Sequence, residues 1–288
     1  MTIHQVQVLL KVIEYGNITR ASEQLGYTQS AVSQMINGLE TELGVKLLNR
    51  NRKGVTLTRI GEKVVTHYRE INRIWKCISD EVNMYQGLDK GQIRIGTVPS
   101  IAAKVLPKLI GVFKKKYPNI ELLLFEGNSE SIVTWLNHSE IDIGIYHHLP
   151  ANLYFSKILD DQLFVCLPKT HPSSDQQMVT ISEIIDSCFI MPNMDCDQLI
   201  TEVFDEHGFH PNIKYKIQDI STILTMVKEG IGLTILPELS IPDTIPNVSI
   251  CPLNPKVERV IGVAVKDPNS LSPIVAEFYQ HVRNLIYK

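Results

Sequence analysis

Apolar residues recur every three or four positions through the first 43 residues of the chain, in three segments that glycines separate. The first segment predicts a helix over Ile3–Tyr15, which ends at Gly16. The second and third segments lie within Asn17–Glu40, and the turn Gly26-Tyr27-Thr28 interrupts the pattern between them. This arrangement predicts two short helices around a tight turn, the outline of a helix-turn-helix.

The second helix of this pair carries polar side chains away from its apolar stripe. Asn17 and Thr28 are placed to cap the two helices, because their side-chain oxygens can accept bonds from unpaired backbone N–H groups. Amide and hydroxyl groups can reach base edges in the major groove of DNA, although a merely solvated helix face would look similar. The candidate DNA-contacting residues on this helix are Thr28, Gln29, Ser30, Ser33, Gln34 and Asn37.

Residues 47–58 follow this helix and predict a short β-hairpin, because Lys53-Gly54 separates two β-prone arms. Such a hairpin would form a wing beside the second helix of the pair. Its basic side chains Arg50, Arg52 and Lys53 are expected to contact phosphates on either side of the groove that the helix enters.

The segment from Thr58 to Gln86 carries an apolar stripe with a mean period close to 3.5 residues. This period predicts one long helix with a coiled-coil seam, which a single helix cannot cover. We therefore expect a dimer, and a long helix packed on its own domain is the alternative. The predicted dimerisation residues are Ile60, Val64, Tyr68, Ile71, Trp75, Ile78, Val82 and Tyr85.

Strands and helices alternate beyond Gly91, in a βαβαβ order that predicts a parallel sheet. The first half has strands at Gln92–Thr97, Ile120–Glu126 and Ile141–Ile145 and helices at Ile101–Tyr117 and Ser129–Asn137. The second half has strands at Gln162–Leu167, Phe189–Met191, Lys214–Ile217 and Leu233–Leu236 and helices at Ile181–Ile185, Asp197–Glu206 and Ile220–Glu229. The closing helix Ser272–Tyr287 is expected to return to the first half. Two such halves would hinge around a cleft.

The expected fold class is therefore a multidomain α/β protein. A winged helix-turn-helix is predicted over residues 1–58, a dimerisation helix over 59–87 and a linker over 88–91. A two-lobed domain is predicted over 92–288, with lobe I formed by 92–161 and 267–288 and lobe II by 162–266.

The distribution of charged residues also separates an N-terminal part of the chain from the rest. Residues 1–76 hold 11 of the 28 Lys and Arg residues but only 6 of the 31 Asp and Glu residues, so a basic module is joined to an acidic one. The net charge of −3 over all 288 residues hides this difference. No long apolar run or signal peptide is present, and the five cysteines lack a CxxC spacing, which together favour a cytoplasmic protein.

The chain resembles LysR-type transcriptional regulators over its whole length. The N-terminal motif residues are Ala21-Ser22-Glu23-Gln24-Leu25, Thr28-Gln29-Ser30-Ala31-Val32-Ser33, Leu43-Gly44 and Leu57-Thr58-Arg59-Ile60-Gly61. The C-terminal motif residues are Pro99-Ser100, Asp142-Ile143-Gly144-Ile145, Val227-Lys228-Glu229-Gly230-Ile231-Gly232 and Leu236-Pro237. Leu48 and Asn49 depart mildly from the wing pattern.

This resemblance implies a winged helix-turn-helix, a dimerising linker helix and a two-lobed effector domain similar to periplasmic solute-binding proteins. It also implies a regulator that binds double-stranded DNA at an interrupted inverted repeat, that assembles as a dimer and then a tetramer, and for which RNA polymerase is a further candidate partner. A small-molecule effector would bind between the lobes.

The effector site is expected where strand ends meet helix starts, since backbone N–H groups there favour an anion. Ser100 is the first candidate for an effector carboxylate, although a helix cap without a ligand is the alternative. Because the only arginines after Arg94 are Arg259 and Arg283, a small anion held by N–H and hydroxyl groups is expected. The candidate effector-binding residues are Thr97, Ser100, Ile101, Asn128, Ser129, Tyr146, His147, Met194 and Cys196.

Other functions are considered beside this one. Cys188 and Cys196, eight residues apart, would suit a thiol-redox sensor if the dipole of the helix that follows Cys196 lowered the pKa of its thiol. A solute-binding protein or an enzyme could use the same two-lobed fold, but the N-terminal module argues against the first and no catalytic constellation indicates the second. Asp160-Asp161 are expected to be surface charges near the hinge. No cofactor or metal is expected.

Overall fold

The N-terminal domain consists of three helices and a hairpin, in the order that the sequence predicts. This computed structural model describes residues 1–51, 54–86, 90–147 and 152–284. The elements of the domain are α1 (Ile3–Tyr15), α2 (Ile18–Leu25), α3 (Gln29–Leu43), β1 (Leu48–Asn51) and β2 (Gly54–Leu57).

The helix-turn-helix boundaries follow from local capping. The Asn17 side chain accepts bonds from two backbone N–H groups of α2, and Thr28 Oγ1 accepts one from Ala31 at 3.2 Å. Gly26 lies between the two helices with φ 70°, a left-handed conformation that costs glycine little. These caps confirm the predicted turn.

A buried carboxylate joins helix α3 to the wing. Glu40, 3% exposed, accepts bonds from the backbone N–H groups of Leu47 and Leu48 at 2.8 and 3.1 Å and from Lys46 Nζ at 2.8 Å. Burial alone would raise the pKa of Glu40, but these partners hold it below its ordinary value. The ionised side chain therefore fixes the start of β1 against the end of α3.

The long helix α4 (Arg59–Tyr85) begins at Thr58, whose hydroxyl accepts the N–H of Gly61 at 2.9 Å. Tyr68 is 4% exposed and packs with Val64 in the core of the N-terminal domain. Of these two predicted dimerisation residues, Tyr68 is therefore covered within one chain and Val64 is partly covered, because the first turns of α4 complete the core beneath the wing. The exposed apolar side chains of α4 are Ile60, Ile71, Ile74, Trp75, Ile78, Val82, Met84 and Tyr85.

The middle of α4 docks on lobe I through polar contacts. Glu70 accepts bonds from Arg73 Nη2 and from Ser139 Oγ, each at 2.7 Å, and pairs with Lys266 at 3.3 Å. Arg73 Nη1 donates to the carbonyl of Ser270 at 2.6 Å. The bond from Arg73 is the main reason that the pKa of Glu70 falls to about 2. Helix α4 is thus attached to lobe I by charged groups.

Lobe I begins with a parallel three-stranded arrangement in the order β4-β3-β5. The predicted helix 101–117 is two helices, because Pro107 cannot donate the backbone bond that would continue the first one. The elements are β3 (Gly91–Thr97), α5 (Pro99–Lys104), α6 (Leu106–Lys116), β4 (Ile120–Glu126), α7 (Ser129–Asn137) and β5 (Ile143–Tyr146).

Lobe II is built on the far end of strand β6, which is longer than predicted and runs through both lobes. Its partners β10 and β11 are antiparallel to it, whereas β8 and β9 pair in parallel. A 3-10 turn at Ile181–Glu183 replaces the predicted helix 181–185. The elements are β6 (Tyr154–Pro168), β7 (Val179–Thr180), β8 (Phe189–Pro192), α8 (Asp197–Glu206), β9 (Ile213–Ile217), α9 (Ile220–Lys228), β10 (Thr234–Pro237) and β11 (Val248–Asn254).

The chain returns to lobe I through strand β12 (Glu258–Val265) and helix α10 (Pro273–Arg283). Gly262 of β12 pairs with Tyr146 of β5, and the strand also pairs with β6. The predicted boundary of lobe II at residue 266 is therefore wrong, because β12 inserts between β5 and β6 in the sheet of lobe I. Strands β6 and β12 are two connections between the lobes. The return of the closing helix to lobe I is confirmed.

Candidate DNA interface and effector cleft

Helix α3 presents polar side chains to solvent. Gln29, Ser30, Gln34 and Asn37 are exposed, whereas Ser33 is half-buried. Thr28 serves as the helix cap, as described above. The amide and hydroxyl groups of this face are free of the domain core and are of the type that reads base edges.

The wing is tied to the recognition helix by one of its basic residues. Arg50 Nη2 donates to Asn37 Oδ1 at 2.9 Å, so these two candidate DNA contacts bond to each other. Gly54 begins β2 with φ 134°, and a Cβ there would lie 2.6 Å from the carbonyl oxygen of Gly16. Only glycine allows the hairpin to approach the turn between α1 and α2 so closely. Arg52 and Lys53, also predicted to contact DNA, lie outside the described residues.

A cleft of about 1120 Å³ separates the two lobes. Five of the nine predicted effector-binding residues line this cleft, and they come from both lobes. They are Ser100, Asn128, His147, Met194 and Cys196.

The other four predicted residues do not line the cleft. Thr97 is 0% exposed at the end of β3, and Ile101 packs in the core of lobe I. Tyr146 is enclosed beside Phe155, and this burial raises its pKa. Ser129 is also buried. Thr97 and Tyr146 are the last residues of β3 and β5, and their side chains are buried in lobe I.

Arg259 of β12 is the cleft residue that the sequence did not predict. Its Nε and Nη2 atoms donate to Asp161 Oδ2 at 2.9 and 2.8 Å, Nη2 donates to Ser100 Oγ at 3.2 Å, and Nη1 lies 3.3 Å from His147 Nδ1. Asp161 is 1% exposed and also accepts the N–H of Leu239, so its prediction as a surface charge is wrong. The signal in the sequence was an arginine within the apolar segment of β12, where a buried charge requires a partner.

Asp195 connects the two lobes across the cleft. Its Oδ2 atom accepts the N–H of Ser129, the first residue of α7, at 2.6 Å. Its backbone carbonyl lies 3.3 Å from His147 Nε2. Because arginine can only donate, the His147 contacts with Arg259 and Asp195 are both satisfied by a neutral ring with its proton on Nε2. A carboxylate of lobe II thus caps a helix of lobe I.

The cysteine pair lacks the environment of a thiol switch. Cys196 is 2% exposed, and burial raises its pKa to about 11 although Arg259 opposes this shift. The prediction that the helix would lower this pKa is wrong, because desolvation outweighs the helix dipole. Within the described ranges, no three His, Cys, Asp or Glu side chains are grouped to hold a metal ion. No helix in those ranges is long and apolar enough to cross a membrane.

Comparisons with known proteins agree with this architecture. The family model of the bacterial regulatory helix-turn-helix protein, lysR family, matches residues 3–62, and that of the LysR substrate binding domain matches residues 86–286. The chain is 32% identical to the uncharacterized HTH-type transcriptional regulator YvbU of Bacillus subtilis, with 99% of each chain covered. It is 27% identical to the transcriptional dual regulator GltC of the same organism, covering 98% of this chain and 96% of GltC.

A solved structure shares the complete fold. The crystal structure of full-length CbnR complexed with its target DNA aligns with a TM-score of 0.69 at 21% identity, covering 98% of this chain and 99% of that one. The chain therefore belongs to the LysR family, and it is a DNA-binding transcriptional regulator with an effector-binding domain.

Proposed function

We propose that two copies of this chain read an interrupted inverted repeat in double-stranded DNA, each through helix α3. The observation that carries this proposal is the exposed apolar stripe of α4. Trp75 and Ile78 of this stripe are 46% and 49% exposed in the single chain, and the partner helix would cover them. Pairing along α4 would fix the distance between the two recognition helices. Dimers then pair into tetramers.

Gln34 is assigned to base contact and Arg52 and Lys53 to phosphate contact. Replacing Gln34 by alanine is expected to weaken binding to a selected operator roughly 5- to 150-fold, the range for one base-reading side chain. Gln198→Ala is the matched control, because Gln198 is an exposed glutamine of lobe II. Gel-shift titrations of both variants test the assignment. Equal affinities of Gln34→Ala and the control would contradict it.

A small molecule with a carboxylate is proposed to bind in the cleft and to regulate the protein. Arg259 supports this, because it meets Ser100 and His147 at the cleft wall. A guanidinium has five N–H groups, and four of them are accounted for by Asp161, Ser100 and His147. The remaining N–H and the Ser100 hydroxyl can hold an effector carboxylate.

A thermal-shift titration with a panel of small carboxylates tests this site. A carboxylate that raises the melting temperature of the wild type is expected to bind the Ser100→Ala variant about tenfold more weakly, since a charge-assisted hydrogen bond is lost. Ser221→Ala, an exposed serine of lobe II, is the control. If no carboxylate shifts the wild type, the effector is not a carboxylate. If the two variants bind alike, Ser100 is not part of the site.

The protein is proposed to act in the cytoplasm, where chromosomal DNA is accessible, and to act without catalysis. RNA polymerase is a further proposed partner, reached when the regulator sits beside a promoter. A transcription assay with purified polymerase on the selected operator measures both regulation and this contact. Transcription that does not change when the regulator is added would contradict this part of the proposal.

A further inference from the structure

The cleft walls carry more carboxylates than cations. Four acidic side chains line the cleft, and they come from both lobes. Arg259 is the one lysine or arginine among the described lining residues. The acidic residues are Glu126 at the end of β4, Asp195 and Asp197 before and at the start of α8, and Asp219 before α9.

The positive charge of Arg259 is already balanced within the protein. Its partner Asp161 has a side chain that is 0% exposed and lies 2.8 Å from Nη2, so this pair contributes little net charge to the cleft. Four carboxylates against one arginine therefore leave the described lining of the cleft with a net negative charge.

The helix that would best attract an anion is already occupied. The N-terminus of α7, a nine-residue helix, receives the Asp195 carboxylate on the N–H of Ser129 at 2.6 Å. A negatively charged group could use this helix N-terminus only by displacing Asp195, and the other acidic side chains of the cleft would repel it. A dicarboxylate or a phosphate is disfavoured for this reason.

Two of the acidic side chains, Asp219 and Asp197, can accept further hydrogen bonds. Asp219 Oδ1 accepts the N–H and hydroxyl of Thr222, each at 2.7 Å, and these bonds lower the pKa of Asp219. Asp197 accepts the N–H of Gln198 at 2.7 Å. A carboxylate offers about four lone-pair sites, so each can accept further bonds from a cationic ligand group.

We infer that the effector carries an amino or other cationic group beside its carboxylate, as an amino acid does. This inference rests on the proposed function of the cleft. The carboxylate binds Ser100 and Arg259, and the cationic group binds among Asp195, Asp219 and Glu126. The negative group of the ligand then lies beside Arg259, and its positive group lies beside the acidic side chains.

Calorimetric and thermal-shift titrations of the full chain with matched probes test the inference. The probes are the L-amino acids, the 2-oxo and 2-hydroxy acids with the same skeletons, and the corresponding amines without a carboxylate. An amino acid is expected to bind at least about tenfold more tightly than its 2-oxo acid, because only the amino acid satisfies the acidic wall. A 2-oxo acid that binds as tightly overturns the inference and leaves the proposed carboxylate site intact.

The amines test whether the carboxylate of the effector contributes to binding beside its cationic group. An amine that binds as tightly as its amino acid supports the cationic group and contradicts the carboxylate. If neither amino acids nor amines bind, the inference is wrong.

Neutral isosteres then locate the group. Asp219→Asn is expected to bind the amino acid roughly tenfold more weakly without loss of helix stability, since asparagine caps helices as well as aspartate does. Glu126→Gln is the second variant. Asp175→Asn, an exposed residue outside the cleft lining, is the control. Unchanged affinity in both cleft variants would contradict the assignment of the acidic wall.

Discussion

Replacing Glu40 by glutamine removes the charge that joins α3 to the wing and keeps the side-chain shape. The wild-type carboxylate is 2% exposed and accepts two backbone N–H bonds and one lysine bond, between 2.8 and 3.1 Å. Bonds to a charged group contribute roughly 1.5–3 kcal/mol each, but glutamine retains one acceptor oxygen. Because Lys46 is 72% exposed, its share is small. We expect a loss of about 1–3 kcal/mol in the free energy of local opening.

Hydrogen exchange followed by mass spectrometry measures this opening at Leu47 and Leu48. Their protection in Glu40→Gln is expected to fall roughly 5- to 150-fold, which is the same free energy expressed as an equilibrium constant. Glu42→Gln is the matched control on the same helix, because Glu42 is exposed and pairs only with the chain's N-terminus among its described partners. Equal protection in the two variants would refute the role of Glu40.

The pH dependence provides a second check. The pKa of Glu40 lies below its ordinary value of 4.5, so its stabilisation is complete above pH 4.5 and is lost as the pH falls through the lower folded value. After correction for intrinsic exchange, the protection of the Leu47 and Leu48 amides in the wild type is expected to fall over this acid range. Their protection in Glu40→Gln is expected to fall less. Parallel curves would contradict this reasoning.

Three further predictions concern the rest of the chain. Ile78→Glu places a charge in the proposed dimer seam and is expected to raise the dimer dissociation constant at least about 100-fold in sedimentation velocity. Glu70→Gln removes a carboxyl group whose pKa is about 2. Differential scanning calorimetry is expected to show the effector domain destabilised by about 1–2 kcal/mol, a value reduced for solvent screening, and most clearly above pH 4.5. Peroxide is expected to leave Cys196 reduced in a mass spectrum, because its buried thiol has a pKa of about 11.

Matched variants serve as controls for the dimer and calorimetry measurements. Met178→Glu changes an apolar residue of lobe II that is 55% exposed, and it should leave the dimer intact. Sedimentation that is equal for both variants would exclude the α4 seam. Glu202→Gln, exposed on α8, is the control for the calorimetry, and equal melting curves would remove Glu70 from the domain contact. A disulfide between Cys188 and Cys196 would restore the redox hypothesis.

The N-terminal domain could be predicted closely because its determinants are local. Caps such as Asn17 and Thr28 and the glycines that follow each helix are within a few residues of the boundaries that they set. The hairpin followed from Lys53-Gly54 for the same reason. Tyr68 was assigned to the dimer seam and not to the core of the N-terminal domain, because period alone does not separate the part of the α4 stripe that covers the domain from the part left exposed.

The position of the cleft between two lobes was predicted, but several of the charged residues that line it were not. Which turns face it depends on β12, which pairs with β5 more than 100 residues earlier in the chain, and local sequence contains no record of that register. Arg259 and Asp161 are separated by 98 residues, so neither reveals its partner from its neighbours. Arg259 was therefore not among the predicted cleft residues, whereas Ser100 and His147 were found because they follow strand ends.

The central claim is that two copies of α3, held at a fixed spacing by α4, read a symmetric site. In-vitro selection from random-sequence DNA with the full-length wild-type protein tests this most directly. The account predicts enrichment of an interrupted inverted repeat with two half-sites related by two-fold symmetry. Enrichment of a single unrepeated half-site, or of no sequence at all, would contradict it.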